Sequence, residues 1–305
     1  MSKVPPLLEP YLGPPPEAAL VVLTSVLGAS TNWLVQRFLY SLLRHHRPRG
    51  EGSGEGRNDN GDDVGVVLVS FMRDGAFWRD GASRLGLDLD ALRRAGRFAF
   101  VDGLTGLFVP PVAAAAAQPD AKSEDQQRDR ILRSPRLDDV GRGIEAALAE
   151  VRARRTVLVV DQIDALLAAC NPSDTVTSLS VGNMLLSLRE RVHATILTLA
   201  ADDPLLHPQN TSLEREHAAL ALSHVHAAHT VMALRRLDTG AARDVSGVVR
   251  ITARGGDGGG GGGVDDEAGA GVEGQGMPAT EAEGDAEYLY YVAGDGGVRV
   301  FERGT

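Results

Sequence analysis

Short runs of uninterrupted apolar residues alternate along the chain with stretches whose apolar positions recur every three to four residues. Residues 19–25 (ALVVLTS), 64–70 (VGVVLVS), 97–101 (RFAFV), 156–161 (TVLVVD) and 193–200 (HATILTLA) are runs of the first kind. Strands of a parallel sheet have this composition because helices cover both of their faces. Helical periodicity fills the intervals, over residues 32–43 (NWLVQRFLYSLL), 78–95 and 182–192, and in the stripe Val140, Ile144, Leu148 and Val151. Gly96 stands where it would end the helix over 78–95. Past the fifth run the pattern changes. Residues 224–235, 247–253, 286–293 and 297–302 alternate apolar and polar positions with no helical run between them. Gly294-Asp295-Gly296 joins the last two as a hairpin turn.

Strand–helix alternation followed by consecutive strands predicts one α/β domain with a mostly parallel central sheet and antiparallel C-terminal strands. The domain is expected to span residues 18–305, after a flexible, proline-rich tail over 1–17. Three segments rich in Gly, Ala, Pro and charge, 45–63, 110–136 and 255–284, cannot bury a core and are expected to be disordered insertions. The glycine tract in the last of them neither follows a strand nor opens a helix, so it is not a phosphate cradle.

Composition narrows the classes. The 305 residues carry a net charge of −10, which disfavours a wholly basic nucleic-acid module. A single cysteine, Cys170, rules out an intrachain disulfide and fits a reducing compartment. No stretch approaches the roughly 20 apolar residues of a membrane helix, and the N-terminus lacks the apolar core of a secretory signal. A soluble, intracellular protein is expected, with no membrane partner. Only Lys3 and Lys122 are lysines among 31 basic residues.

That scarcity bears on the candidate chemistry. The first apolar run, the loop Val26-Leu27-Gly28-Ala29-Ser30-Thr31 and the helix from Asn32 occupy the place of a nucleotide-binding loop, which reads G-x-x-x-x-G-K-[ST]. With the helix start as register, Ser25 falls at the first glycine, Ser30 at the second, Thr31 at the lysine and Asn32 at the magnesium-binding hydroxyl. Only Gly28 supplies backbone freedom, at an interior position. Helix-terminal amides could still attract an anion, but an ordinary strand-to-helix turn with Ser30 or Thr31 as N-cap is favoured. Asp161 ends the fourth run as a Walker B acid would, and without a phosphate grip it is expected to order the adjacent loop by hydrogen bonds. Asp164 is expected to be an N-cap or a solvated acid. Arg73 follows the second run, where many ATPases of this shape carry a catalytic glutamate. It would pair locally or reach a neighbouring subunit, the local pairing being favoured. His224, His226 and His229 are expected to be partly buried strand residues rather than metal ligands, since no cysteine or acid completes a tetrahedral set. Arg44, His45, His46, Arg47 and Arg49 form a basic cluster without aromatic company. No catalytic residue, metal or cofactor is expected.

In order, the segments TSVLGASTNWLVQRFL, SFMRDGAFW, SRLGLDLDALRRAGRFAFVDGLTGLF and VLVVDQIDALL resemble the family of sixth subunits of the Elongator complex. The low-complexity insertions resemble those of a fungal member. The likeness covers most of residues 18–235 and the terminal hairpin. It implies a RecA-like fold of the P-loop NTPase type without working Walker motifs, and a chain that is not itself an enzyme. It also implies assembly with the related fourth and fifth Elongator subunits into a hetero-hexameric ring. That ring binds tRNA and supports the wobble-uridine modification made by the catalytic subunits. In RecA topology the loops at 171–180 and 202–212 would approach the ring's centre, and Arg189, Arg191 and Arg215 are the candidate tRNA-facing or subunit contacts. The alternative is a diverged RecA-like ATPase or small-molecule kinase that borrows a cation such as Arg73. A circadian-clock or DNA-repair relative of RecA is less favoured, because those usually keep the lysine.

Overall fold

A computed structural model of the chain describes residues 3–44, 64–109, 129–169, 176–237, 242, 244–253 and 285–302. After a 3-10 helix Pro6–Tyr11, the elements are β1 Leu20–Ser25, α1 Asn32–Leu43, β2 Val64–Ser70, α2 Gly75–Arg84, α3 Leu89–Arg94, β3 Phe98–Asp102, α4 Thr105–Phe108 and β4 Arg130–Ile131. The chain continues with α5 Leu137–Leu148, β5 Arg155–Asp161, α6 Ala165–Ala169, α7 Ser178–Arg189, β6 Ala194–Ala200, α8 Asp203–Leu206 and α9 Ser212–Ala227. It ends with β7 Thr230–Arg235, β8 Gly247–Ala253, β9 Ala286–Val292 and β10 Val298–Phe301.

These strands form one sheet in the order β10-β9-β8-β7-β1-β6-β5-β2-β3-β4. From β7 to β4 all neighbours are parallel, and β8, β9 and β10 extend the sheet antiparallel, as the pattern predicts. The crossover from β1 to β2 runs toward one edge and the return from β4 to β5 runs back. Right-handed crossovers therefore place their helices on opposite faces. One core packs Val21 and Leu23 of β1 against α1, α2 and α3, and the other packs Leu20 and Val22 against α5, α6, α7 and α9. The parallel strands end level. Ser25 is in register with Ala200, and Ser70 with both Asp161 and Asp102, so their carboxyl ends form a shelf.

The expected flexible tail is instead packed. Val4, Leu8 and Leu12, spaced four apart, are buried in the first core. The expected helix over 78–95 is two helices, because Gly86 takes φ +75°, which no helix accommodates, and Asp88 then caps α3 by accepting from Ala91 N–H at 2.9 Å. Gly96, at φ +70°, does end α3. The alternating run expected over 224–235 is a strand only from Thr230, since α9 holds residues up to Ala227. Thr211 and Glu214 start that helix with reciprocal bonds between each side chain and the other's backbone N–H. In the expected disordered insertion over 110–136, Arg130–Ile131 adds an edge strand to β3 and Leu132 is buried. The rest of that segment up to residue 128, and the insertions at 45–63 and 255–284, lie outside the described residues. The terminal hairpin turns at Gly296, φ +84°, with Ala293 N–H donating to Gly297 O at 2.8 Å. Among the described residues no helix is long and apolar enough to cross a membrane.

Candidate functional site

Open α/β sheets place their ligands at the carboxyl ends of the strands, so the shelf is where chemistry would sit. The degenerate loop occupies it as a closed turn. Ala29 N–H donates to Val26 O at 2.8 Å, and Gly28 at φ +90° supplies the left-handed corner that a type II turn requires. Leu27 N–H donates to a carboxylate oxygen of Asp202, across from β6, at 2.7 Å. Asn32 N–H donates to Ser30 Oγ at 3.2 Å, while Thr31 is buried at the start of α1 with no side-chain capping bond. Three amides of the segment that would cradle a phosphate are thus satisfied within the protein.

Asp161 lies beneath, fully buried. One of its oxygens accepts from Ser70 Oγ–H at 2.7 Å and the other from Thr198 Oγ–H at 3.0 Å. Those hydroxyls accept in turn from Arg73 N–H at 3.0 Å and Gln162 N–H at 2.8 Å. Burial pushes the Asp161 carboxyl pKa up, while the two hydroxyl donors and the Arg73 charge pull it down. The acid ties the ends of β2, β5 and β6 together and orders the residues that follow two of them. Arg73 pairs locally. Its guanidinium donates to Met72 O at 3.0 Å and lies 5.1 Å from the centre of the Phe77 ring.

Asp164 stands immediately before α6, at the N-cap position, but it is not solvated. Its side chain, 10% exposed, lies beside His217, with Oδ2 accepting from Ala200 N–H at 3.4 Å and lying 3.7 Å from His217 Nδ1. Its Oδ1 has no partner among the described residues. Burial pushes its carboxyl up to about 6, against the pull of His217. The same histidine donates from Nε2–H to Ala200 O at 2.9 Å, so both groups hold the last residue of β6, two positions before Asp202.

The three candidate arginines do not converge. Arg215 sits at the shelf end, where it donates to Gln209 O and Asn210 O at 3.3 and 3.2 Å, beside the 202–212 loop. Arg189 and Arg191 lie at the opposite end of the sheet. α7 starts above β5 and delivers the chain to the start of β6, so Arg189 reaches Ala18 O, ahead of β1, at 3.4 Å. Arg191 meets Glu145 of α5 at 3.3 Å. His224 and His226 are helical rather than in a strand, because α9 runs through both. His224 is buried, donates to Leu220 O at 2.8 Å and has its pKa lowered by that burial. No group of three or more His, Cys, Asp or Glu with metal-binding geometry occurs among the described residues. Ser70, Thr198, Asp202 and His217 complete the shelf although no motif marks them. Their common signal is position: a polar residue at, or just beyond, the end of an apolar strand, or one turn into the following helix.

The family model described as Elongation complex protein 6 matches residues 62–262. No curated protein matches the chain. A KaiC-like protein from the hyperthermophilic archaeon Pyrococcus horikoshii OT3 superposes with a TM-score of 0.51 at 17% identity, over 98% of this chain and 97% of that one. At that identity the likeness establishes a shared fold.

Proposed function

This chain belongs to the Elongation complex protein 6 family, and we propose that it serves the Elongator complex as a RecA-like subunit without catalytic activity of its own. Its role is assembly with the fourth and fifth Elongator subunits into a hetero-hexameric ring, in the cytoplasm and the nucleus. The ring supports tRNA binding and wobble-uridine modification by the catalytic subunits.

The observation that carries the non-catalytic role is the Asp202–Leu27 bond at 2.7 Å. A working phosphate loop offers free backbone N–H groups and a lysine to the β- and γ-phosphates. Here a carboxylate holds one of those amides, the turn closes on another, and no lysine follows. A triphosphate entering the shelf would meet a like charge at close range, which opposes binding instead of stabilising it. Asp161, the remaining metal-binding candidate, has both oxygens engaged by hydroxyl donors in the core of the sheet.

Co-expression with the fourth and fifth subunits tests the assembly, and a stable three-component complex on size exclusion is the expected result. Equilibrium ATP titration of the chain alone tests the missing chemistry. No saturable binding is expected. Turnover of ATP by the isolated chain, abolished in Asp161→Ala, would establish the ATPase or kinase alternative instead.

A further inference from the structure

Arginines gather at the end of the sheet opposite the degenerate loop, and we infer that this rim docks the phosphodiester backbone of RNA. In the parallel part of the sheet, each helix returns the chain to the amino ends of the strands. Six arginines sit on these returns: Arg94 closes α3, Arg152, Arg154 and Arg155 lead from α5 into β5, and Arg189 and Arg191 lead from α7 into β6. Backbone contacts join the returns into one band. Arg152 N–H donates to Gly96 O at 2.7 Å, and Arg155 is in register with Val64. His193 N–H donates to Thr156 O at 2.8 Å, Ala18 N–H to His193 O at 2.7 Å, and Arg189 reaches Ala18 O.

The band crosses β3, β2, β5, β6 and β1. At about 4.8 Å between strands it is about 19 Å long. With one phosphate per about 3.4 Å of helix axis on each strand of a stacked nucleic acid, it faces about five or six phosphates. Arg94, Arg152, Arg154 and Arg191 are exposed, and Arg155 and Arg189 are half-buried. Glutamates temper the rim without matching it. Glu145 meets Arg191, Glu150 meets Arg130 of β4 at 2.6 Å, and Glu17 and Glu190 are exposed on the same returns. The shelf end instead concentrates Asp102, Asp161, Asp164, Asp202, Asp203 and Glu214. On a chain of net charge −10, this separation turns a polyanion toward the rim and away from the loops at 202–212. Arginine is the side chain suited to the task, since its planar fork takes two phosphate oxygens at once. Regularly spaced phosphates fit such a line of forks better than an acidic protein surface would. The inference rests on the tRNA-binding part of the function proposed above and names the surface that performs it.

Fluorescence anisotropy of labelled polyuridine, with the full chain and with its complex with the fourth and fifth subunits, tests the rim. Between about 50 and 200 mM salt, log affinity should fall with log salt at a slope of about −3 to −5. The variant Arg94→Gln/Arg152→Gln/Arg191→Gln changes only exposed positions. It should weaken binding about tenfold or more and make the slope shallower by about 2 to 3. Arg215→Gln should change neither. Ultraviolet cross-linking of the wild-type protein needs no variant, and its cross-linked peptides should cover Arg94 and Arg152. Unchanged binding by the triple variant, cross-links confined to residues 202–215, or a rim that takes polyglutamate but not polyuridine overturns the assignment while the proposed function stands. Absence of RNA binding by both chain and complex overturns the rim together with the tRNA part of that function.

Discussion

Asp161 keeps the address of a metal-binding acid and does a different job. Its two hydroxyl donors come from strands on either side, 91 and 37 residues away in sequence, so the carboxylate pins three strand ends at once. Asp161→Ala strands both hydroxyls in the core. Each stranded polar group costs about 1–3 kcal/mol, so the urea midpoint should fall by an equivalent of about 2–6 kcal/mol with no accompanying change in nucleotide affinity. The address was legible, because an apolar run that stops at an aspartate marks a strand end. The partners were not, because pairing across a sheet depends on strand order, which local sequence does not carry. Asp164 makes the same point through pH. Its ordinary value of 3.8 is raised to about 6 by burial, so the folded state binds its proton more tightly than the unfolded state. The sign follows: the stabilisation is full below about pH 4 and is lost as pH rises through about 6. At 1.36 kcal/mol per unit, the loss is at most about 3 kcal/mol. Urea titrations at a series of pH values should show Asp164→Asn losing that decline relative to wild type. A parallel pair of curves would sink the assignment.

At the scale of elements, periodicity succeeded where an element buries an uninterrupted or cleanly striped face, and failed where a local rule intervened. The parallel strands and α5 were readable on those grounds. The split between α2 and α3 was not, because a single left-handed Gly86 outweighs a continuous apolar stripe. α9 was hidden for another reason: His224-Val225-His226 alternates like a strand, while the Thr211 and Glu214 pair that starts the helix lies well upstream. The N-terminal segment reads as a tail only because of its prolines. Proline at the start of a short helix presets the backbone instead of preventing structure, and Leu8 and Leu12 then reach the core that α1 shares with β9 and β10. Leu8→Ala should therefore cost about 2–5 kcal/mol, as buried leucine truncations do. A thermal melt that does not move would restore the flexible tail.

For the molecule as a whole, fold and site are separable because different residues secure them. The ten strands among the described residues, two cores and level strand ends define the RecA-like scaffold, and none of that framework needs a phosphate. The loop is tied to the scaffold through Asp202 and its own turn, so amides that a phosphate would need are engaged, besides the lysine's place being taken by Thr31. Thr31, at the lysine's position, is buried, and a lysine there would have to leave the core to reach a ligand. The motif-restoring variant Ser25→Gly/Ser30→Gly/Thr31→Lys/Asn32→Ser should therefore fail to bind a fluorescent ATP analogue up to about 1 mM, the upper end of ordinary substrate KM values. Adding Asp202→Asn removes the charge that holds the Leu27 amide. Because the turn bond from Ala29 to Val26 survives that change, the five-residue variant should also remain without saturable binding. Micromolar affinity in the four-residue variant would mean that the missing motif residues alone had silenced the shelf. Affinity appearing only on the addition of Asp202→Asn would place the block in that carboxylate and leave the turn blameless.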